Sequence, residues 1–255
     1  IPQIIGNDPE AFIRMARHLA DLGYTGVNWN LGCPFPMVAR KQRGSGMLPY
    51  PDRIDAFLDR VLPQVPCGIS IKARLGRYSN EEIFRLIPVF NRYPLTEVII
   101  HPRTGVQMYD GRPDIDAFGR CLGQLRHPVV YNGDIRRLAD VAALSERFPA
   151  VHGWMIGRGV LINPFLPAVI KANRDGFPEK IDRFRKFHDA LFAAYRDVFS
   201  GPGHLVERMK GFWGYFSLAF EDARKLLKQI RKIRLPEAYM DRVSRFFDTE
   251  AVWRA

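Results

Sequence analysis

The sequence has few cysteines and lacks any long apolar run. Its three cysteines, Cys33, Cys67 and Cys121, lie among 255 residues, and none belongs to a C-x-x-C pair. An odd number of cysteines without paired spacing argues against a disulfide framework or a zinc site and favours a reducing compartment. No apolar run is long enough to cross a bilayer, and the sequence shows no signal peptide. The sequence therefore predicts a cytoplasmic protein with no metal site and no membrane contact.

Acidic residues are scarce relative to basic ones, with 27 Asp and Glu against 38 Lys and Arg, a net charge of +11. This charge suits a polyanionic partner, although charge alone does not identify one. Hydrophobic residues make up 47% of the chain and charged residues 25%, which is typical of a globular protein with a sizeable core. The chain begins with Ile1 and not with methionine, so we expect it to be part of a longer protein.

Short apolar runs alternate with amphipathic stretches over the first two thirds of the chain. Strands are predicted at residues 3–5, 26–31, 68–73, 98–101, 129–131 and 153–156. The first helix begins at Asn7-Asp8-Pro9, which offers a capping side chain and a proline in the first turn, and it ends at Gly23. A second helix is predicted at about 52–62, and Ser79 with Glu82 forms a capping box for a third. Strands that alternate with helices predict an α/β fold with a parallel sheet.

Polar residues near the strand ends distinguish a barrel from a doubly wound sheet. They lie at or just beyond the ends of different predicted strands: Gln3, Asn30, Cys33, Lys72, Arg74, His101, Arg103, Asn132 and Arg158. A ring of functional groups at every carboxyl end is typical of a barrel, whereas an open sheet gathers them mainly at one crevice. We therefore predict a TIM (β/α)8 barrel with about six of its eight units in this chain, and we expect the other two upstream.

From about Lys171 onward the pattern is helical only, with polar breaks near 200–203 and 235–236. This segment carries 18 Lys and Arg against 12 Asp and Glu in 85 residues, and the preceding 170 residues carry 20 against 15. The charge per residue is thus more than twice as high in the tail. We predict a barrel domain over residues 1–170 and a separate helical domain over 171–255.

The tail contains RKLLKQIRKIR at residues 224–234, with apolar residues on one helical face and basic residues on the other. A solvated helix face is the usual meaning of this pattern. Because Lys210, Trp213 and Tyr215 lie in the same positively charged tail, contact with a nucleic-acid backbone is an equally good interpretation.

Two glycine-containing turns follow the last two predicted strands. Asn132-Gly133-Asp134 and Gly157-Arg158-Gly159 would follow strands seven and eight of a completed barrel, where loops often bind phosphate through backbone N–H groups. The Arg158 guanidinium would add a positive charge that can form two parallel hydrogen bonds to a phosphate. Either turn alone could simply reverse the chain, but together they favour a cofactor that carries phosphate.

Lys72, His101 and Cys33 are the candidates for chemistry at the barrel mouth. Lys72 could stabilise negative charge on a cofactor ring or a carbonyl, and His101 could donate to the same ring. Each could instead be structural, with the lysine reaching solvent and the histidine bonded to backbone. Cys33 lies between Gly32 and Pro34, and it could act as a proton donor or as an activated nucleophile.

These motifs, taken in order, resemble those of the tRNA dihydrouridine synthases. The resemblance rests on Gln3 followed by the segments NLGCP (30–34), IKARLG (71–76), HPRTG (101–105), YNGDI (131–135) and MIGRG (155–159). It extends to about residue 166, and the basic tail resembles the C-terminal RNA-binding domain of that family. It implies an FMN-binding barrel followed by a helical bundle, with NADPH as reductant and tRNA as substrate. The family's N-terminal strand with a Pro-Met flavin contact is absent from this sequence.

The resemblance also implies roles for individual residues. The implied flavin contacts are Gln3, Lys72, His101, Asn132, Gly133, Asp134, Gly157 and Arg158. Cys33 would be the proton donor, and Asn30, Arg74 and Arg103 would contact the substrate. The chain has Pro36-Met37 where the family often has a lysine, so we expect Arg40, Lys41 or Arg43 to contact RNA instead.

The sequence therefore predicts a monomeric enzyme that reduces the C5=C6 bond of a uridine in tRNA. One alternative is an FMN-dependent barrel that reduces a small ene or pyrimidine substrate, although the basic tail argues against it. The other is a tRNA-binding protein without catalysis, which is disfavoured because Cys33, Lys72 and His101 are all present.

Overall fold

The computed structural model describes residues 1–199 and 201–254, and the chain divides into two compact units. The first, here called the sheet unit, comprises Ile1–Gly133 and Leu144–Met155. The second, the helical unit, comprises Asp134–Ala143 and Ile156–Ala255. The boundary at residue 170 that the sequence suggests stays a prediction.

Six parallel strands form the sheet. They are β1 (Gln3–Ile4), β2 (Gly26–Leu31), β3 (Gly68–Gly76), β4 (Val98–Thr104), β5 (Val129–Asn132) and β6 (Gly153–Met155). Each strand pairs in parallel with the next, so the spatial order is the chain order. A doubly wound sheet would reverse its order at a switch point, whereas successive β/α units of a barrel keep the chain order. The prediction of a parallel barrel-type sheet is confirmed.

Helices of the sheet unit follow the strands as predicted, and α6 extends into the helical unit. They are α1 (Pro9–Asp21), α2 (Pro36–Ala39), α3 (Pro51–Val61), α4 (Glu82–Phe90), α5 (Ile115–Leu122) and α6 (Leu138–Arg147), with 3-10 turns at Gly44–Met47 and Leu62–Gln64. The Asp8 side chain caps α1 by accepting a hydrogen bond from the Ala11 N–H at 2.8 Å. The capping box of α4 is half formed. The Glu82 carboxylate accepts from the Ser79 N–H at 3.2 Å, but the Ser79 hydroxyl accepts from Glu81.

The outer face of the sheet packs on these helices. Val27, Trp29 and Leu31 of β2 are fully buried, and so is Ile71 of β3. Trp29 stacks on Phe57 of α3 with ring centroids 3.9 Å apart. Because successive side chains of a strand point to opposite faces, burying this apolar set turns the polar residues of the same strands to the inner face.

The helical unit is built around an aromatic core. Its helices are α7 (Arg158–Ile162), α8 (Leu166–Ala172), α9 (Lys180–Val198), α10 (Pro202–Phe216), α11 (Arg224–Ile230) and α12 (Pro236–Thr249), with a 3-10 turn at Ser217–Ala219. Phe184, Phe216 and Phe220 are buried in this core, and Ile162 and Phe165 also belong to it. None of the helices within the described ranges is long and apolar enough to cross a membrane.

Two expectations for the tail are corrected. Trp213 is 0% exposed, so this indole belongs to the core and is not available to RNA. Helix α11 ends at Ile230, and the rest of the 224–234 segment leaves the helix. Leu226 and Ile230 are nevertheless buried as the pattern predicted. The predicted break at 235–236 separates α11 from α12, whereas Ser200 of the other predicted break lies outside the described residues.

Candidate functional site

The inner face of the sheet carries a row of polar side chains. Strand pairing places Gln3 beside Asn28, Asn30 beside Lys72, and Arg74 beside His101. Tyr131 of β5 pairs with Ile100 of β4. The next residues along the two strands, Asn132 and His101, therefore lie side by side. All these residues lie in the sheet unit, and alternation directs their side chains to one face.

Hydrogen bonds between amides fix one end of this row. The Asn30 amide donates to Gln3 Oε1 at 2.7 Å, and the Gln3 amide donates to Asn28 Oδ1 at 2.7 Å. The Asn28 amide in turn donates to the Ser70 hydroxyl at 2.9 Å. Each side chain in this series of hydrogen bonds determines the orientation of the next, so the Gln3 and Asn30 amides are each held in one orientation.

Lys72 is a half-buried cation in the middle of the row. Burial, together with the like charge of Arg74, lowers the pKa of the Lys72 ammonium to about 8. Within residues 1–199 and 201–254, no hydrogen bond or ion pair involves this ammonium. A partly buried charge without a protein partner is costly, so such groups typically mark a site where a ligand supplies the acceptor.

His101 is 6% exposed and accepts a hydrogen bond from Arg103. Arg103 Nη1 lies 3.2 Å from His101 Nε2. A guanidinium can only donate, so the neutral ring accepts at Nε2 and carries its proton on Nδ1. Arg103 also donates to the Gly111 carbonyl at 2.7 Å. Arg103 is 1% exposed and bonds to His101 and to a backbone carbonyl. Its predicted contact with substrate stays a prediction.

The turn that carries Cys33 is fixed through its backbone. Asn30 Oδ1 accepts from the N–H groups of both Gly32 and Cys33 at 2.9 Å. The Cys33 carbonyl accepts from the backbone N–H of Ser45 at 3.0 Å and from its hydroxyl at 2.9 Å. Asn30 thus connects the polar row directly to the half-buried thiol residue.

Two arginines of β3 and its following loop hold the carbonyls on either side of Cys33. Arg74 Nε donates to the Gly32 carbonyl at 3.0 Å, and Arg77 Nη1 donates to the Pro34 carbonyl at 3.0 Å. Three successive carbonyls, at residues 32, 33 and 34, are therefore bound by side chains from other segments. Sequence reasoning missed Arg77 and Ser45, because bonds to distant backbone carbonyls leave no motif.

Arg74, predicted as a substrate contact, is 1% exposed. Its guanidinium also donates to the Thr104 carbonyl at 2.7 Å and lies 5.2 Å from the centre of the Tyr109 ring. Burial is the main cause that lowers its pKa to about 10. The structure therefore gives Arg74 backbone partners, and a direct contact with substrate stays a prediction. Tyr109, which lies beside Arg74 and is 44% exposed, is a further candidate for a substrate contact that the sequence did not single out.

The glycine-rich segment after Cys33 packs against the Cys33 turn. Gly44 has a φ of +55°, and a Cβ at this position would lie 2.8 Å from both the Cβ and the carbonyl oxygen of Cys33. Only glycine allows this approach. Residues 44–48 are buried, whereas Arg40 and Lys41 are exposed as an RNA contact requires.

The two turns predicted to bind phosphate divide between the units. In the sheet unit the Asn132 amide donates to the Met155 carbonyl at 2.8 Å, and Gly133 follows it. In the helical unit Arg158 donates to Asp134 Oδ1 at 2.8 Å, and Gly157 precedes α7. A joint role in phosphate binding stays a prediction.

No group of three or more His, Cys, Asp or Glu side chains in the described part of the chain is arranged to hold a metal ion. The site therefore consists of amides, cations, an imidazole and a thiol. These groups can bind an anionic or carbonyl-rich ring and can deliver a proton, a chemistry suited to reduction of a polarised double bond.

Comparison with known proteins identifies the family. The sequence model of the family "Dihydrouridine synthase (Dus)" matches residues 1–244. The chain belongs to the dihydrouridine synthase family. The resemblance found in the sequence is thereby confirmed, and the match extends through most of the helical unit.

Individual relatives agree with this family. tRNA-dihydrouridine synthase B of Pasteurella multocida is 31% identical over 171 residues, which cover 67% of this chain and 51% of that protein. tRNA-dihydrouridine(16) synthase of Vibrio cholerae is 27% identical, covering 96% of this chain and 76% of its own length. The corresponding enzyme of Escherichia coli is 29% identical, covering 90% and 72%. The chain spans about half the length of the Pasteurella protein.

Among solved structures, histamine dehydrogenase from Rhizobium sp. 4-9 superposes with a TM-score of 0.51 at 14% identity. The match covers 65% of this chain and 27% of that protein. At this identity the likeness concerns the fold alone, and it agrees with the strand order of the sheet.

Proposed function

We propose that this protein is a flavin-dependent tRNA-dihydrouridine synthase that reduces the C5=C6 bond of a uridine in tRNA. The observation that carries the proposal is Lys72, a half-buried cation without a partner in the described chain, paired in register with the Asn30 that holds the Cys33 turn. The names of the relatives, all tRNA-dihydrouridine synthases, support the same substrate.

The polar row fits the ring system of FMN. The oxidised ring offers carbonyl and imine acceptors, and the reduced ring carries negative charge, so an ammonium such as that of Lys72 is a suitable partner. Gln3, His101 and Asn132 would contribute further contacts from β1, β4 and β5. We assign the phosphate to Gly133, Asp134, Gly157 and Arg158, following the family likeness.

Reduced FMN, when bound, supplies a hydride for C6 of the uracil ring, and NADPH is the proposed reductant. The Cys33 thiol donates a proton to C5, so that one hydride and one proton together saturate the double bond. The resulting thiolate regains its proton from solvent, since Cys33 is half-buried and not sealed off. Lys72 and Asn30, neighbours across β2 and β3, would stabilise negative charge that builds on the rings.

A uridine must leave its RNA stack to reach this site, at a cost of about a few kcal/mol that is lower in an already strained loop. Arg40 and Lys41 are exposed beside the Cys33 turn and could bind the backbone. In the helical unit, Arg224, Lys225, Lys228, Arg231 and Lys232 are exposed on and after α11. These side chains suit the phosphates of tRNA.

The test is formation of dihydrouridine in unmodified tRNA incubated with the protein, FMN and NADPH, measured by mass spectrometry of the digested nucleosides. We expect dihydrouridine at a defined position, and none when the protein is omitted. If the protein binds FMN and reduces a small enone but leaves tRNA unchanged, the tRNA assignment is wrong. A cytoplasmic location and a monomeric state complete the proposal, and sedimentation of the purified protein tests the latter.

A further inference from the structure

Two aromatic side chains stand exposed next to the Cys33 turn. Phe35, two residues after Cys33, is 54% exposed, and Tyr78, two residues after the end of β3, is 70% exposed. Both follow the carboxyl ends of their strands, the end at which Cys33 lies. Large exposed rings beside a reaction site differ from the scattered surface apolar residues that need no explanation.

Arg77 connects the two rings. Its guanidinium donates to the carbonyl of Pro34, the residue immediately before Phe35, and lies 5.8 Å from the centre of the Tyr78 ring. Its backbone carbonyl accepts from the N–H of Val106, another exposed apolar residue, at 3.0 Å. Three loops, which follow β2, β3 and β4, therefore meet at Arg77, with the exposed Phe35, Tyr78 and Val106 next to its contacts.

We propose that Phe35, Arg77 and Tyr78 form a binding site for an unstacked base of the RNA next to the target uridine. The inference rests on the proposed function. Flipping a uridine out of its stack leaves its neighbours without a stacking partner. Aromatic rings and the guanidinium plane are the protein surfaces on which such bases stack.

Charge favours a nucleic acid over other occupants of this surface. Arg40 and Lys41 follow Phe35 within six residues, and Arg77 bonds to the residue before it, so three cations lie close to Phe35 in sequence or in space. One carboxylate is also present, since Glu82 accepts from the backbone N–H groups of Arg77 and Tyr78 at 2.7 and 3.0 Å. The chain as a whole carries a net charge of +11. The site thus provides flat apolar surfaces for a base and cations for the adjoining phosphates. A base bound here would recover part of the stacking energy lost when the uridine is extracted.

The test replaces Phe35 and Tyr78 by leucine, which retains apolar bulk but removes the flat ring. Tyr24→Leu is the matched control, because Tyr24 is 47% exposed in the same unit but lies before β2, at the opposite end of the sheet. The affinity of the full chain for unmodified tRNA is measured by filter binding at several salt concentrations. Dihydrouridine formation by the unchanged protein is measured in parallel.

We expect Phe35→Leu and Tyr78→Leu each to weaken tRNA binding roughly tenfold relative to the control. Stacking releases no counterions, so the factor should be the same at every salt concentration, whereas Lys41→Ala should flatten the salt dependence. Removing the base on one side of the target uridine, with an abasic nucleotide, should weaken binding to the unchanged protein. The same change should abolish the additional loss in the leucine variants.

The inference is overturned if both leucine variants bind tRNA as the control does, or if their loss persists with abasic nucleotides on either side. It is equally overturned if they bind normally but sediment as monomers where the unchanged protein is dimeric, since the surface would then join two copies. Failure of the unchanged protein to form dihydrouridine would instead count against the proposed function, so the two failures are distinguishable.

Discussion

The two units differ in one respect: the buried polar rings of the helical unit bond to one another, whereas one half-buried cation of the sheet unit has no partner in the described part of the chain. In the helical unit Trp213 Nε1 donates to the Tyr239 hydroxyl at 2.7 Å, and that hydroxyl lies 2.7 Å from His188 Nε2. His188 Nδ1 lies 2.9 Å from the Asp189 carboxylate. In the sheet unit, by contrast, the Lys72 ammonium has no protein partner within the described residues.

The helical arrangement satisfies each of these ring atoms. The carboxylate of Asp189 only accepts, so His188 donates to it from Nδ1, and in the neutral tautomer Nε2 accepts from the Tyr239 hydroxyl. The hydroxyl oxygen then accepts from Trp213. All three rings are 0% exposed, and burial raises the pKa of the Tyr239 hydroxyl. A closed set of this kind stabilises a fold, whereas an open one such as Lys72 indicates a ligand.

The largest effect is expected from the thiol of the sheet unit. Cys33→Ala should lower the rate of dihydrouridine formation about 10²- to 10⁴-fold, because general acid catalysis contributes on this scale. FMN binding should be unchanged, since the inner-face contacts remain. Cys67→Ala is the control and should keep the rate. Full activity of Cys33→Ala in a single-turnover assay would remove the thiol from the mechanism.

Lys72→Met should weaken FMN binding roughly ten- to hundredfold, because a hydrogen bond to a charged group is lost. Titration of the flavin absorbance measures this change, and Lys72→Arg should recover part of the affinity.

Lys72 also predicts a pH dependence of stability without FMN. Its pKa is about 8 in the folded chain against an ordinary 10.5, so the unfolded chain binds the proton more tightly. The free energy of unfolding should therefore rise between about pH 8 and pH 10.5, by at most about 3 kcal/mol. Urea titrations of the unchanged chain and of Lys72→Met at several pH values should show this rise in the unchanged chain only. The same dependence of the free energy of unfolding on pH in both proteins would contradict the prediction.

Tyr239→Phe examines the closed set of the helical unit. The change leaves the Trp213 N–H and His188 Nε2 buried without a partner, so we expect a loss of about 2 kcal/mol in the free energy of unfolding. Tyr195→Phe is the matched control for loss of a hydroxyl. FMN affinity should be the same in both variants. A change in FMN affinity without a loss of stability would show that the Tyr239 hydroxyl serves ligand binding and not the stability of the fold.

A smaller effect is expected at Ser45, which holds the Cys33 carbonyl. Ser45→Ala removes one of the two hydrogen bonds to the Cys33 carbonyl and also the 3.3 Å bond that the Ser45 hydroxyl accepts from Arg77. We therefore expect kcat to fall about two- to tenfold through looser positioning of the thiol. KM for tRNA and FMN affinity should not change, and Ser79→Ala serves as the control. A rise in KM with kcat unchanged would assign Ser45 to RNA binding instead.

The sequence predicted the strands because their apolar runs are short and separated by clear helix signals, such as Asp8 before Pro9. β3 and β4 extend beyond their apolar runs, because Arg74 and Arg103 are buried with backbone carbonyls as partners and the strands can continue through them. The hydrogen bonds that hold the Cys33 turn could not be predicted, since Arg77 and Ser45 donate to backbone carbonyls 43 and 12 residues away. Trp213 was misjudged because composition does not tell which side of a helix is buried.

We propose that FMN binds the inner face of the sheet and supplies the acceptor for the Lys72 ammonium. The most direct measurement is the visible absorption spectrum of the purified protein titrated with FMN, with Lys72→Met beside it and mass analysis of whatever heating releases. We expect a bound flavin spectrum, release of FMN on heating, and clearly weaker binding by Lys72→Met. A protein that binds no FMN, or a Lys72→Met variant that binds FMN equally well, would show that the inner face does not bind this cofactor through Lys72.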